Sequence, residues 1–273
     1  MSPLAQHQPA APVSAQMAKA QPPISSTPPP SAELPPKTPL IAFPQNYSLE
    51  IPNHGSALVL VPIHAIGPKP LVIAAHGAGG RPELQCERWR PILQERAFVL
   101  CIRGYALGLS DKKNPPQSFF YPTHHALARE LENALSALVR VFGENVDMRD
   151  PVFIGFSQGA VMGAMILPAH SAHIARALLN EGGSGEYAEW SIPVARRFYE
   201  RGGRRVLLAC GRPSCDAYAQ KTAGHLKKAG LLTLILHAKG AGHDESAILN
   251  KGLANAFEWL IEDDPRFQND NLH

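Results

Sequence analysis

The sequence predicts an α/β protein: a mostly parallel, open β-sheet with a leading antiparallel hairpin and helices on both faces. Two observations predict this fold. Nearly continuous apolar runs recur along the chain, as expected of strands that are covered on both faces. Segments with helical periodicity fall between those runs, which is the alternation of an α/β sheet. At 273 residues the chain is long enough for one sizeable core plus a tail.

The first segment of the chain differs in composition from the rest. It is rich in Pro, Ala, Gln and Ser, with proline runs at 22–23, 28–30 and 35–36. Such a segment buries too little apolar surface to offset the entropy lost on ordering. We therefore predict a disordered, partly polyproline tether over residues 1–43, a folded domain over 44–263 and a C-terminal tail over 264–273.

The strands follow in order after this tether. Residues 47–51 and 57–61 are strand-like runs separated by Pro52-Asn-His-Gly55, which predicts an antiparallel hairpin at a sheet edge. The remaining strand candidates are the apolar runs 71–75, 98–102, 152–154, 175–179, 206–210 and 231–236. These runs are almost continuously apolar, and Arg176 alone breaks the run 175–179, so they predict buried, parallel strands.

The helices are predicted between the strands. Over residues 125–142, apolar side chains recur at spacings of four, four, three and four, which makes one stripe of an amphipathic helix: Leu127, Leu131, Leu135, Leu138 and Phe142. Further helices are predicted directly after Ser157 and over 189–200, 216–228 and 245–262.

Ser157 is the candidate nucleophile. It lies in Gly155-Phe-Ser-Gln-Gly159, between an apolar run and a run of small residues that suits a helix. Glycines two residues before and after a serine allow a tight strand-to-helix turn from which the hydroxyl projects. The new helix also directs its N-terminal N–H groups at the same point.

A serine hydroxyl needs a base, and the base needs an acid that fixes its tautomer. We assign the base to His243, in the glycine-containing loop Gly240-Ala-Gly-His after the last predicted strand. For the acid we favour Asp216, in the segment after the strand 206–210, where a Cys210–Cys215 disulfide would help to fix its position. Glu181, just after the strand 175–179, is the alternative acid.

An acyl-transfer site also needs donors where the carbonyl oxygen becomes negative. The stretch His76-Gly-Ala-Gly-Gly80 follows an early buried strand, so we assign the oxyanion hole to the N–H groups of Ala78 and Gln158. A phosphate-binding loop is disfavoured because the G-K-[ST] ending is missing. We expect no cofactor and no metal.

The order Ser157, Asp216, His243, with the glycine-rich loop upstream, resembles the α/β-hydrolase family over residues 45–263. The short segments between the later strands resemble its compact carboxylesterase and dienelactone-hydrolase branches. The resemblance implies a serine hydrolase acting on a small ester or related acyl compound. Peptidase, thioesterase and polyester-depolymerase activities stay open, as does a non-catalytic binding protein tethered by its proline-rich arm.

Composition bears on partners and location. The net charge of +3 is small and its basic residues are scattered, which argues against nucleic-acid binding. No apolar run approaches the roughly 20 residues of a transmembrane helix.

The spacing of Cys86, Cys101, Cys210 and Cys215 does not suit zinc. A Cys210–Cys215 disulfide and the tether favour export or the cell envelope, with the signal missing from this chain. Free thiols and the missing signal favour the cytoplasm. The oligomeric state stays open.

Overall fold

The computed structural model describes residues 39–108, 115–170, 172–243 and 247–268. Residues 1–38 of the predicted tether and 269–273 of the predicted tail lie outside the described residues, and this division of the chain stays a prediction. The described chain begins with a 3-10 turn at Leu40–Ala42, in which Leu40 is buried in the core.

The centre of the fold is an eight-stranded sheet in the order β1-β2-β4-β3-β7-β8-β9-β10. Its strands are β1 Asn46–Leu49, β2 Ala57–Leu60, β3 Lys69–Ala75, β4 Phe98–Ile102, β7 Val146–Phe156, β8 Arg176–Asn180, β9 Arg205–Cys210 and β10 Leu232–His237. β1 and β2 form the predicted antiparallel hairpin, and β2 also pairs antiparallel with β4. Every other pairing in this sheet is parallel. A separate two-stranded ribbon joins β5 Tyr105–Ala106 to β6 Phe119–Phe120.

Helices cover both faces of the sheet. They are α1 Pro82–Leu93, α2 His124–Phe142, α3 Gln158–Ile166, α4 Ile192–Glu200, α5 Pro213–Lys228 and α6 Ala247–Ile261. The side chains of α2, α3, α4 and α5 contribute to one buried cluster, and those of α1 and α6 contribute to the other. The predicted fold class is therefore confirmed. None of the described helices has the length and apolarity needed to span a bilayer.

The helix α2 forms as its periodicity predicts. The predicted stripe from Leu127 to Phe142 is buried, and the Thr123 side chain caps the helix by accepting a hydrogen bond from the Ala126 N–H at 3.1 Å. The helix α1, whose last turn contains Pro91, is not predicted by the sequence pattern. A proline inside a helix removes a main-chain donor, so the segment lacks an obvious helical signature.

Two disulfide bonds join parts of the chain that lie next to the central strands. Cys86 in α1 is bonded to Cys101 in β4, which fastens that helix to the sheet. Cys210 at the end of β9 is bonded to Cys215 in α5. The bond between Cys210 and Cys215 is the predicted alternative to free thiols, whereas the bond between Cys86 and Cys101 is not predicted from the sequence.

Candidate active site

Ser157 lies at the sharp turn between β7 and α3. Its backbone adopts φ +48° and ψ −115°, a conformation that side-chain-bearing residues rarely adopt. The flanking glycines are required by space: a Cβ on Gly155 would lie 2.5 Å from the Ala160 Cα, and one on Gly159 would collide with the Ala75 carbonyl oxygen. The turn is held from the neighbouring strand, because the Ser157 N–H donates to the Asn180 carbonyl at 2.8 Å.

His243 lies beside this serine, in the loop after β10. Its Nε2 is 2.9 Å from Ser157 Oγ, and its Nδ1 is 3.0 Å from Glu181 Oε2. An ionised carboxylate only accepts hydrogen bonds, so Nδ1 carries the proton and Nε2 is free to accept the serine proton. The ring also packs against Phe156, with 5.5 Å between the ring centroids. The arrangement is a continuous hydrogen-bonded chain of hydroxyl, imidazole and carboxylate.

Glu181 follows directly after β8 with a left-handed backbone conformation, φ +54°. Its carboxylate is fully buried and accepts hydrogen bonds from the Gly211 N–H, from the Arg212 N–H at 3.1 Å and from Arg212 Nε at 2.6 Å. Burial alone would raise the pKa of Glu181. The hydrogen bonds from Gly211, Arg212 and His243 outweigh burial and hold that pKa below its ordinary value. The group is therefore a fixed anion opposite His243.

The structure does not bring Asp216, the preferred acid, to His243 and places the alternative acid, Glu181, against that ring, so we propose Glu181 as the acid. The segment after β9 was expected to be a loop through residue 215, but α5 begins at Pro213 and Asp216 lies in its first turn. There its Oδ1 lies 3.3 Å from Nδ1 of His237. The sequence signal for Glu181 is its position directly after β8, the strand that pairs with β7, which leads to Ser157.

The loop 76–80 lies directly against the nucleophile. A Cβ built on Gly77 would lie 3.1 Å from the Ser157 Cβ. The loop is tied down by the Gly79 N–H, which donates to the Phe119 carbonyl at 2.8 Å, and by the Gly80 N–H, which donates to Gly77 at 2.9 Å. Ala78 is exposed at the tip of this loop, beside the site.

Gln158, the other predicted oxyanion donor, is the first residue of α3, where main-chain N–H groups have no acceptor within the helix. Its side chain accepts a hydrogen bond from the Tyr121 N–H at 2.8 Å, which anchors the start of α3. The loop and the helix end thus meet beside Ser157, as an oxyanion hole requires. The assignment of that role to the Ala78 and Gln158 N–H groups stays a prediction.

The buried side chain of His76 supports the loop 76–80. Its ring is buried, with Nδ1 2.7 Å from the Gly77 carbonyl oxygen and Nε2 2.7 Å from that of Arg103. Tyr121 stacks on the ring, accepts a hydrogen bond from the His76 N–H and donates to the Ile102 carbonyl. Burial lowers the pKa of His76, although the two carbonyl contacts oppose this. This residue joins the loops after β3 and β4.

Two cavities open beside the site. The first, of about 480 Å³, contains Ser157 and His243 and has a mixed wall, with apolar side chains from α3 (Val161, Met162 and Met165) on one part and the polar or charged side chains of Gln158, Glu186 and Arg212 on another. The second, of about 440 Å³, lies at the loop 76–80 and is walled by the first half of α1 and by Phe156. Across the described ranges, no group of three His, Cys, Asp or Glu side chains is arranged to hold a metal ion.

No protein family model and no curated protein matches this sequence. Solved structures do match in fold. An uncharacterized protein from Bacillus cereus ATCC 10987 superposes with a TM-score of 0.59 at 15% identity, and the match covers 74% of this chain but only 62% of that one. A dienelactone hydrolase-like promiscuous phosphotriesterase from metagenomic libraries gives 0.56 at 16% identity, with 79% and 98% covered. The Pyrococcus furiosus esterase PF2001 gives 0.53 at 14%, with 82% and 92% covered. The chain has the α/β-hydrolase fold, which confirms the expected architecture.

Proposed function

We propose that the protein is a serine hydrolase that cleaves a carboxylic ester or a related acyl compound through an acyl-enzyme at Ser157. The observation that carries this proposal is the hydrogen-bonded chain from Ser157 Oγ through the His243 ring to Glu181. The strained turn at Ser157 and the adjacent glycine-rich loop also support it.

In the first half-reaction, Ser157 Oγ attacks the substrate carbonyl carbon while His243 Nε2 takes the hydroxyl proton. The carbonyl π electrons move onto its oxygen, and the Glu181 carboxylate stabilises the imidazolium that forms. When the tetrahedral intermediate collapses, His243 returns the proton to the leaving oxygen. An alcohol departs and the acyl group stays bonded to Ser157.

In the second half-reaction, a water molecule replaces the alcohol. His243 removes a proton from the water as its oxygen attacks the acyl carbon, and then gives that proton to Ser157 Oγ. The carboxylic acid is released and the serine is restored. Water is the only co-reactant that this sequence requires.

The negative oxygen of both tetrahedral intermediates would face the N–H groups of Ala78 and Gln158. Loss of one oxyanion donor typically costs about 3 kcal/mol of transition-state stabilisation. The hydrogen bonds of the loop 76–80 to Phe119 and within itself hold it in place before the substrate arrives. Preorganisation of this kind stabilises the transition state more than the ground state.

The walls of the first cavity bear on the size and polarity of the substrate rather than on the type of acyl bond. Its methionine and valine side chains suit an apolar acyl or alcohol portion, and its volume suits a small molecule. Peptidase and thioesterase chemistry use the same groups, and an acylaminoacyl peptidase from Pyrococcus horikoshii shares the fold at 12% identity. Amide and thioester substrates therefore have to be tested beside esters.

The hypothesis of a non-catalytic binding protein expects that one of the three polar groups is displaced or blocked. The 2.9 Å and 3.0 Å contacts of His243 weigh against it. Activity itself decides between the two functions.

The test is labelling of the full chain with a fluorophosphonate probe, with Ser157→Ala as control. We expect labelling of the wild type and none of the variant, together with hydrolysis of p-nitrophenyl esters at a higher kcat/KM than matched thioesters or anilides. A folded wild type that takes no label and cleaves none of these substrates would leave the binding protein as the better account.

A further inference from the structure

The charged side chains that line the cavity at Ser157 do not cancel one another. They are Glu181, Glu186 and Arg212. The charge of Arg212 is already compensated, because its Nε lies 2.6 Å from Glu181 Oε2. His243 is neutral when it acts as the base, so it adds no positive charge before the reaction begins. The wall of this cavity therefore carries an excess of negative charge, which belongs to Glu186.

The carboxylate of Glu186 has no compensating partner. It is exposed, and within the described ranges no cationic side chain pairs with it. Its charge instead acts on another carboxyl group: burial and, to a smaller extent, the charge of Glu186 raise the pKa of Glu189. A carboxylate that lines a cavity without a cation of its own attracts a cation from solution.

The next residue, Tyr187, adds a second feature that suits a cation. Its side chain lines the same cavity and is 64% exposed. The face of an aromatic ring attracts an ammonium group, and this attraction adds to that of a neighbouring carboxylate. On another part of the wall, the side chains of Met162 and Met165 suit the methylene or methyl groups that carry such a charge.

The segment 182–190, which carries both side chains, is held in place by its own hydrogen bonds. The buried carboxyl group of Glu189 accepts a hydrogen bond from the Tyr187 N–H at 2.9 Å. The buried Trp190 donates from its Nε1 to the Gly183 carbonyl at 3.0 Å. A wall that is ordered before the substrate arrives loses less entropy on binding.

We propose that Glu186 and Tyr187 form a subsite for a cationic group of the substrate, so that the enzyme prefers esters that carry an ammonium group over neutral esters of the same shape. This inference rests on the proposed esterase function. The cation takes no part in the bond changes. The acyl C–O bond breaks, water supplies the new oxygen of the acid and the proton of the released alcohol, and the ammonium group is unchanged. The subsite contributes by holding the carbonyl at Ser157 in a reactive orientation.

The experiment uses two pairs of esters, each matched in shape. In the first pair the acyl chain of a p-nitrophenyl butyrate ends in a trimethylammonium group or in its neutral isostere, a tert-butyl group. In the second pair the same two groups end the alcohol portion of a butyrate ester, and acid release is followed by titration. The measured quantity is the preference ratio, kcat/KM of the cationic ester divided by that of the neutral one. Each ratio is divided by the corresponding ratio for hydroxide-catalysed hydrolysis, which removes the difference in intrinsic reactivity.

The variants are Glu186→Gln, Tyr187→Leu and Tyr187→Phe, with Glu200→Gln as the matched control. Glu200 is an exposed carboxylate at the end of α4 that lines neither cavity beside the site. We expect a wild-type ratio above one in at least one pair, and that pair identifies the side of the ester that enters the subsite. Glu186→Gln should lower the ratio about fivefold, the upper end for an exposed ion pair. Tyr187→Leu should lower it about threefold, whereas Tyr187→Phe, which keeps the ring, and the control should preserve it.

Salt tests the same charge without any substitution. Ions screen an exposed carboxylate, so the wild-type ratio should fall as sodium chloride is raised from low concentration. In Glu186→Gln the ratio should depend less on salt. A substitution that merely disturbed the segment 182–190 would not remove this salt dependence.

Three results overturn the inference: a wild-type ratio at or below one in both pairs, a ratio that Glu186→Gln leaves unchanged, or a ratio that Glu200→Gln lowers as much as Glu186→Gln does. Failure of the proposed function has a different signature, because none of the four esters would then be cleaved and Ser157 would take no probe. Thermal unfolding identifies any variant that fails to fold, and the salt dependence of the wild type then decides.

Discussion

Replacement of Glu181 by Gln tests which carboxylate assists His243. The substitution keeps the shape of the side chain, and its amide oxygen still accepts hydrogen bonds from the Gly211 and Arg212 N–H groups. It removes the negative charge that lies opposite His243, where the contact is 3.0 Å. It also offers an N–H group to Nδ1, which favours the tautomer with the proton on Nε2, where the base must be free.

The size of the effect follows from Coulomb's law. With an effective dielectric constant of about 20, an imidazolium and a carboxylate roughly 4 Å apart attract each other by about 4 kcal/mol. That energy corresponds to roughly a thousandfold in rate at room temperature. For Asp216→Asn we expect a change of less than about fivefold, because a partly exposed pair such as that with His237 contributes at most about 1 kcal/mol.

The assay is single-turnover acylation by a p-nitrophenyl ester, and the release of nitrophenol is monitored in a stopped-flow instrument. Thermal unfolding of both variants checks that the fold is kept. If Asp216→Asn lost a thousandfold while Glu181→Gln kept more than about a tenth of the rate, the assignment of the acid from the structure would be wrong.

Three further predictions concern stability. The free energy of unfolding of Ser157→Gly, measured by urea denaturation, should exceed that of Ser157→Ala by about 1 kcal/mol, because glycine adopts the positive φ of this turn without strain. Equal free energies of unfolding would contradict backbone strain at Ser157. Gly159→Ala should lower the free energy of unfolding by about 2 kcal/mol or more because its Cβ meets main-chain atoms, whereas Gly224→Ala in α5 has open space and should be neutral or stabilising by up to about 1 kcal/mol. The hydrogen bond from Arg149 lowers the pKa of Asp147 to about 2, below its unfolded value of 3.8. Its contribution to stability is therefore present above about pH 4 and is lost as pH falls towards 2, and Asp147→Asn should flatten that part of a denaturation curve measured against pH.

The features of the fold that depend on neighbouring residues could be predicted from the sequence. Apolar runs predict the strands, and an apolar stripe predicts α2, because each signal comes from the sequence pattern of one element. Ser157 was found for the same reason, since its two glycines and the flanking strand and helix are adjacent in the chain. The prediction of His243 as the base needed only its position in the loop after the last predicted strand.

The acid required more than local pattern. Glu181 and Asp216 follow neighbouring strands, β8 and β9, and each could reach the edge of the sheet where His243 lies. The ring contacts Glu181, whereas Asp216 lies in the first turn of α5. Helix boundaries are the least certain part of a prediction from pattern, so the position of Asp216 could not be fixed from the sequence. The bond between Cys86 and Cys101 was missed on similar grounds, because it joins a helix that was not predicted to a buried strand.

The bond between Cys210 and Cys215 encloses Gly211 and Arg212, whose N–H groups hold the Glu181 carboxylate. In the loop-entropy model this bond stabilises the fold by about 2 kcal/mol and the Cys86–Cys101 bond by about 3 kcal/mol, together a large share of the roughly 5 to 15 kcal/mol that holds a typical domain. Hydrolysis of an ester transfers no electrons. The thiol–disulfide balance of the surroundings would nonetheless act on this protein twice, through the stability of its fold and through the loop that holds the carboxylate of Glu181, the proposed acid.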